Sequence, residues 1–222
     1  MTEVLNPGHA AREARAAQRS RQLLDAAARL MEKTGSEAVS MQALAAEAGV
    51  SVGLIYRYFG SKDDVLLAVI IDVLNQFEIE VPKAIAEAGS DPVRQMAAAF
   101  GAYCRVIDSR RHAALLTYRE SNALDSAGRQ QIKTLELTTI EPLQQAIADG
   151  MADGRLVARH PDLVAYNLLL LAHAWALKHW YFERTLDIEG YIRAQLELSL
   201  RALIAPDFAD EYRDLLGGAP AA

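Results

Sequence analysis

Residues 40–62 read SMQALAAEAGVSVGLIYRYFGSK, and their spacing predicts two short helices set at an angle by a glycine turn. Ser40 is a good N-cap, because its hydroxyl can accept from an orphan backbone N–H of the first turn. Met41 to Ala48 place Leu44 and Ala48 on one face, and Ala45 beside them is small enough to let a second helix cross closely. Gly49 supplies the left-handed stop that an abrupt helix end favours. Val50 fills the corner, and Ser51 caps a second helix, Val52 to Phe59. Ile55 and Phe59, one turn apart, form its buried side. The other side offers Val52, Gly53, Tyr56 and Arg57. A glycine inside a helix costs about 1 kcal/mol relative to alanine, and close approach of the backbone to a partner rationalises Gly53. Gly60 ends the helix. Ser61 caps the next one, with Asp63 and Asp64 in its first turn, where carboxylates suit the helix dipole. This is the layout of a helix-turn-helix that reads DNA.

The run from Gln22 to Val69 resembles the N-terminal domain of the TetR family of bacterial one-component repressors. Ala45, Ala48, Gly49, Val50, Ser51, Gly53, Tyr56, Tyr58, Phe59, Ser61 and Lys62 carry the resemblance, with Val65 where leucine is more usual. It implies an all-α dimer, with a three-helix DNA-binding head and a larger helical body for ligand binding and dimerisation. Carried over by position, Ser40, Tyr56, Tyr58 and Lys62 correspond to phosphate contacts. Gln42, Val52, Gly53, Leu54 and Arg57 correspond to candidates for base edges or the groove wall. The residues themselves leave other roles open. Tyr58 and Leu54 also suit packing inside the head, and Arg57 suits guanine, phosphate or solvent equally. Ile55 and Phe59 are assigned to the core.

The chain has 222 residues, enough to bury a substantial core, and its 51% hydrophobic content excludes wholesale disorder. Its net charge of −6 is unevenly spread: residues 1–62 hold eight Lys/Arg against six Asp/Glu, so the head carries +2 and the remainder −8. Such asymmetry orients a protein on a polyanion, although many acidic proteins share it by chance. Cys104 is the one cysteine. It permits no intramolecular disulfide and no cysteine metal cluster, and its apolar helical setting suits an inert thiol. No signal-peptide core precedes the first helix. The stretch from Leu163 to Leu177 is too short and too polar to span a bilayer, so the expected location is cytoplasmic, with no membrane partner.

The expected organisation is a flexible arm over 1–17, a helix-turn-helix domain over 18–62, a ligand-binding and dimerisation body over 63–206, and a C-terminal tail over 207–222. The arm carries Pro7, Gly8 and arginines that suit either a minor groove or a solvated helix extension. Gln18 to Lys33 reads as the first helix, with Leu23, Leu24, Ala27, Leu30 and Met31 as its apolar stripe. The helix from Ser61 runs through Phe77, and Pro82 is expected to kink or end it. Asp91 and Pro92 open another helix. Further helices span 112–123, 128–150 with a kink at Pro142, 160–184, and 187–204. The last two are apolar nearly all round and must be buried on several sides. That points to a self-pairing four-helix interface, or else to an intramolecular bundle.

The middle helices carry polar groups of the kind that an apolar ligand pocket places sparingly. Phe100, Tyr103, Tyr118, Arg119, Asn122, His173 and Trp175 are the candidates, with His112 and Glu120 nearby. Tyr118 also suits the core, and Arg119 with Glu120 suits an internal ion pair. The segments TYRESNALD and HAWALKHW are similar to the body of TetR relatives that respond to fatty acyl-CoA. That similarity implies that Arg110, Arg111 or Arg119 meets CoA phosphates while the acyl chain enters the interior.

Enzyme readings find no support. No Gly-rich phosphate loop, GxSxG, HExxH or paired ExxH is present. His173 lies six residues before His179 and cannot share one helix face with His179 and Glu183 as a metal site. No cofactor is expected. The sequence therefore predicts a non-enzymatic, ligand-responsive homodimeric repressor. It occupies a palindromic operator and is released by a small apolar, fatty-acid or acyl-CoA-type effector. The alternative is a helical ligand-binding or scaffold protein without DNA binding.

Overall fold

A computed structural model describes the backbone of residues 7–217 and the side chains of residues 18–217. The first helix, α1 (Pro7–Thr34), starts well ahead of the expected Gln18. Proline is tolerated at a first helical position, where its missing N–H would be unpaired anyway. The Ala-, Arg- and Glu-rich run that follows consists of strong helix formers. The arm expected over 1–17 is thus helical from Pro7 onward. Residues 1–6 and the side chains of Arg12 and Arg15 lie outside the described residues, as does the end of the tail beyond Gly217.

Two short helices follow, α2 (Met41–Glu47) and α3 (Val52–Tyr58). Then comes α4 (Lys62–Glu87), which does not end at Pro82 but continues past it to Glu87. The lost backbone hydrogen bond there is outweighed by packing on both sides: Val81 is fully buried, and Ala84 and Ile85 rest on the core. Pro142 is likewise contained within α7 (Ser126–Ala152).

The body is built around α5 (Pro92–Ser109), which packs against α4, α7 and a later helix, α8 (Pro161–Leu177). Met96, Phe100, Tyr103 and Ile107 on α5 are completely buried, together with Phe77 from α4 and Ile140 and Leu143 from α7. Between α5 and α7 lies α6 (Arg111–Arg119), followed by a 3₁₀ turn at Ser121–Ala123 instead of the single expected helix.

The expected helix over 160–184 is interrupted. α8 stops at Leu177, Lys178 leaves helical geometry, and a one-turn helix, α9 (His179–Phe182), follows. The ring cluster of Trp175, Phe182 and Tyr191 explains the reversal, because Phe182 lies 6.4 Å from Trp175 and 4.9 Å from Tyr191. The last long helix is α10 (Ile188–Leu203), after which Pro206–Tyr212 forms a 3₁₀ segment. Tyr212 pins that segment, donating to Asp91 at 2.8 Å and accepting from Arg155 at 2.7 Å.

The all-round burial expected of the late helices is not met within one chain. Leu163, Leu170 and Leu177, spaced seven apart on α8, are 57%, 53% and 38% exposed, and Leu198 on α10 is 68% exposed. No helix among the described residues is long and apolar enough to cross a membrane. Cys104 is fully buried and burial pushes its thiol up, which disfavours the reactive thiolate.

Candidate nucleic-acid interface and effector cavity

The head is assembled by caps. The Ser40 hydroxyl accepts from the Ala43 amide at 3.1 Å, and the Ser51 hydroxyl accepts from the Leu54 amide at 3.3 Å. Gly49 takes φ +65°, and the Val50 amide closes the turn on the Ala45 carbonyl at 2.9 Å. Leu44, Ala45 and Ile55 are buried between the helices. Ser61 and Asp64 form a reciprocal capping box that starts α4.

This packing leaves one face of α2 and α3 in solvent. Ser40, Gln42, Gly53, Arg57, Tyr56 and Tyr58 are exposed, the two tyrosines at 53% and 41%. Val52 and Leu54 are half-buried at its margin, and Phe59 is half-buried against the core as expected. A methyl group added at Gly53 would meet nothing within 4 Å. The chain's own packing therefore does not require glycine at that position. Lys62 differs from the rest. Its ammonium donates to the Glu37 carbonyl at 2.7 Å and the Ser36 carbonyl at 3.2 Å, so it braces the turn between α1 and α2.

A polar seam joins head to body. Arg110 reaches Asp25 on α1 at 2.8 Å and Asp72 on α4 at 3.4 Å. Burial raises the Asp72 pKa, partly opposed by Arg110. Glu32 of α1 takes His112 at 3.2 Å and Arg119 at 3.6 Å. At the end of α6, the Glu120 carboxylate accepts from the Ser36 hydroxyl at 2.5 Å. The alternative reading of Arg119 and Glu120 as an internal pair is not realised, because each is committed to the head instead. Arg110 is similarly held by two carboxylates, and Arg111 lies against His179. These contacts remove Arg110 from the cations expected at CoA phosphates, because a guanidinium already paired with two carboxylates has little positive field to offer a phosphate.

A narrow cleft lies inside the body, its free volume about 10 Å³, no more than a single water would occupy. Val73 and Phe77 of α4, Thr117 of α6, Ile132, Glu136 and Thr139 of α7, and Leu169 and His173 of α8 form its wall. Of the expected ligand residues only His173 lines it. Tyr118 stands next to that ring, with centroids 5.2 Å apart. Phe100 and Tyr103 are fully buried core residues, and the Tyr103 hydroxyl is taken by the Thr139 carbonyl at 2.5 Å. Trp175 belongs to the separate ring cluster and donates to Asp108 at 2.7 Å. Arg119 and Asn122 are exposed at the seam and the 3₁₀ turn. Burial lowers the His173 pKa to about 4, and its Nδ1 faces the Leu169 carbonyl at 2.9 Å. The ring is therefore neutral at pH 7, with the proton on Nδ1. Burial raises the carboxyl of Glu136, with no cation or donor opposing it. Glu136 was not among the expected residues, yet its sequence position marks it. It interrupts the apolar stripe of Ile132, Ile140 and Leu143 at helical spacing.

No cluster of metal-ligating side chains occurs among the described residues. The arrangement is that of a helical regulator, with a DNA-reading head carried on a ligand-sized body. Residues 23–69 match the family of bacterial regulatory proteins, tetR family, and residues 89–202 match the tetracyclin repressor-like C-terminal domain. The chain is 36% identical over 181 residues to the HTH-type transcriptional regulator HbdR of Aromatoleum sp. (strain CIB), an overlap of 82% of this chain and 79% of that protein. It superposes on AibR in complex with isovaleryl coenzyme A and operator DNA, with a TM-score of 0.69, 21% identity, and 81% and 97% of the two chains covered. It also superposes on Bacillus subtilis FadR in complex with stearoyl-CoA, with a TM-score of 0.69, 20% identity, and 82% and 98% covered. The chain belongs to the TetR family of ligand-responsive, DNA-binding transcriptional repressors.

Proposed function

We propose that the protein is a homodimer that occupies a palindromic operator through α3 and is released when a small apolar or acyl-CoA-type effector enters the body. The observation that carries the DNA reading is the exposed face around Gly53, where a free glycine backbone, Tyr56, Tyr58 and Arg57 stand together outside the core. Ser40, Tyr56, Tyr58 and Lys62 hold the phosphates, and Gln42, Val52, Gly53, Leu54 and Arg57 face the bases or groove wall. The exposed leucine stripe of α8 with Leu198 of α10 forms the dimer surface. Pairing two heads matters because a single short helix gives little specificity, whereas half-sites about 34–36 Å apart supply a two-fold code.

Release follows from where the cavity sits. It is narrow, so an effector must push its walls apart. Thr117 is in its wall, and Glu120, one turn further along α6, is bonded to Ser36 in the head. α4 contributes the opposite wall and begins at Lys62, which braces the same turn. Movement of either wall is thereby delivered to the recognition helices. The two regulators superposed above were solved with coenzyme A thioesters, and this supports an acyl-CoA-type effector.

Fluorescence anisotropy with a palindrome from the protein's own promoter region tests the reading. Saturable, salt-sensitive binding that long-chain acyl-CoA weakens is expected. Binding no tighter to that palindrome than to random duplex would reject operator recognition. Operator binding indifferent to acyl-CoA, together with no calorimetric heat, would reject the effector class.

A further inference from the structure

The polar atoms of the body cavity share one property: they accept hydrogen bonds. Glu136 lines the cavity and its carboxyl receives no hydrogen bond; the Tyr118 hydroxyl lies near enough to feel its charge but does not donate to it. His173 uses Nδ1 on the Leu169 carbonyl, which leaves Nε2 as a lone pair. The two threonines in the wall have also spent their protons. Thr139 donates to the Glu136 backbone carbonyl at 3.0 Å, and Thr117 points to the Ala113 carbonyl at 3.5 Å. The rest of the lining is aliphatic or aromatic.

Such a wall discriminates by charge and by donor count. A carboxylate or phosphate placed here would face Glu136 with no cation to compensate it, and like charges in a poorly solvated site repel strongly. An ether, ester or thioester oxygen would bring a further acceptor to a site that has only acceptors. A hydroxyl or protonated amine would give the half-buried Glu136 carboxylate a partner that the wall does not supply. We infer that the part of the effector lodged in this cavity is an apolar body carrying a hydrogen-bond donor, a hydroxyl or an amine, that pairs with Glu136. The inference rests on the reading of this cavity as the effector site and narrows it. A plain saturated acyl chain can still enter but forgoes the bond to Glu136, and a free fatty-acid head group is disfavoured in the cavity by the same carboxylate.

The test uses full-length protein and four probes of nearly equal shape: 1-hexanol, hexylamine, hexyl methyl ether and hexanoate, compared by titration calorimetry. The alcohol and amine should bind at least about tenfold more tightly than the ether and the carboxylate, the discrimination expected of a hydrogen bond to a charged group. The ratio of amine to alcohol separates a cationic from a neutral effector. Glu136→Leu, similar in volume and free of a buried charge, should lose the preference for the alcohol and bind alcohol and ether alike. Glu136→Gln, which keeps an acceptor, should retain most of it. Ether or hexanoate binding as well as the alcohol, unchanged in Glu136→Leu, overturns the donor requirement while leaving the cavity as an effector site. Binding of none of the four removes the cavity as a site for such ligands, and the donor requirement with it.

Discussion

Replacing His173 by leucine should flatten the acid side of the stability curve. The imidazole is buried among Phe77, Tyr118 and the walls of α4, α7 and α8, and burial pulls its pKa from 6.5 down to about 4. A base with a lowered folded pKa binds fewer protons in the folded chain than in the unfolded one. Stability is therefore fully present above about pH 6.5 and is lost progressively as pH falls toward 4. At about 1.36 kcal/mol per pH unit, the interval between 6.5 and 4 corresponds to about 3 kcal/mol, of which about 2 kcal/mol falls between pH 7 and pH 5. Glu136 faces the same cavity and acts in the opposite sense, since a carboxyl raised by burial favours the fold at low pH. It is present in both proteins, so the difference between them isolates His173. Urea unfolding followed by circular dichroism at pH 7 and pH 5, at one fixed protein concentration, should show the parent losing about 2 kcal/mol more than His173→Leu. Equal losses in the two proteins would mean that the imidazole is charged or solvated in the fold. The acceptor at Nε2, and the cavity chemistry built on it, would then be wrong.

Gly53→Ala should raise thermal stability by about 0.5–1 kcal/mol, because nothing crowds the position and alanine is the better helix former. The same change should weaken operator binding in anisotropy titrations, and unchanged affinity would take Gly53 out of the interface. Lys62→Ala should lower the melting temperature through loss of the two carbonyl contacts, and should reduce the slope of log affinity against log salt by about one. Lower stability with an unaltered slope would make Lys62 purely a brace. Arg57→Ala should change the ranking of operator variants; a uniform loss on every operator would assign it to phosphate. Ser36→Ala deletes the hydroxyl that Glu120 holds and should leave operator affinity nearly intact while shrinking the effector's influence on it. A full effector response in Ser36→Ala would place the coupling elsewhere.

The head was legible because its signals are local. Caps at Ser40, Ser51 and Ser61 act within three residues of themselves, and Gly49 announces its own backbone conformation. The cavity was not legible for the opposite reason. Its wall comes from four helices that meet only after folding, so Thr117 and Leu169 carry no mark in sequence. His173 was found because a histidine in an apolar helix is conspicuous. Glu136 is equally conspicuous on its stripe, but a carboxylate at helical spacing reads as a solvent-facing charge until the neighbouring helices are in place. Trp175 and Phe100 look like ligand contacts in sequence, but in the fold Trp175 donates to Asp108 beside a different, polar-rimmed pocket and Phe100 is fully buried in the core. The break after Leu177 is not legible in sequence because the ring cluster that turns the chain spans Trp175 to Tyr191. Helical periodicity is blind to partners that distant.

The seam between head and body accounts for how a small ligand can matter. The cores on either side are apolar, and apolar packing is non-directional. The seam is instead a row of discrete polar contacts on α1, α4 and the turn before α2: Arg110 with Asp25 and Asp72, Glu32 with His112 and Arg119, and Glu120 with Ser36. Each is made or broken over a few ångströms. A hydrogen bond to a charged group contributes roughly 1.5–3 kcal/mol when well shielded, and considerably less where water reaches it. Allosteric coupling between sites spans about 1–3 kcal/mol. The Glu120 contact is part-buried, so in the proposed switch its loss contributes a share of that range and the other seam contacts the rest. A ligand that displaces Thr117 supplies that share once α6 has shifted far enough to open the Glu120 bond.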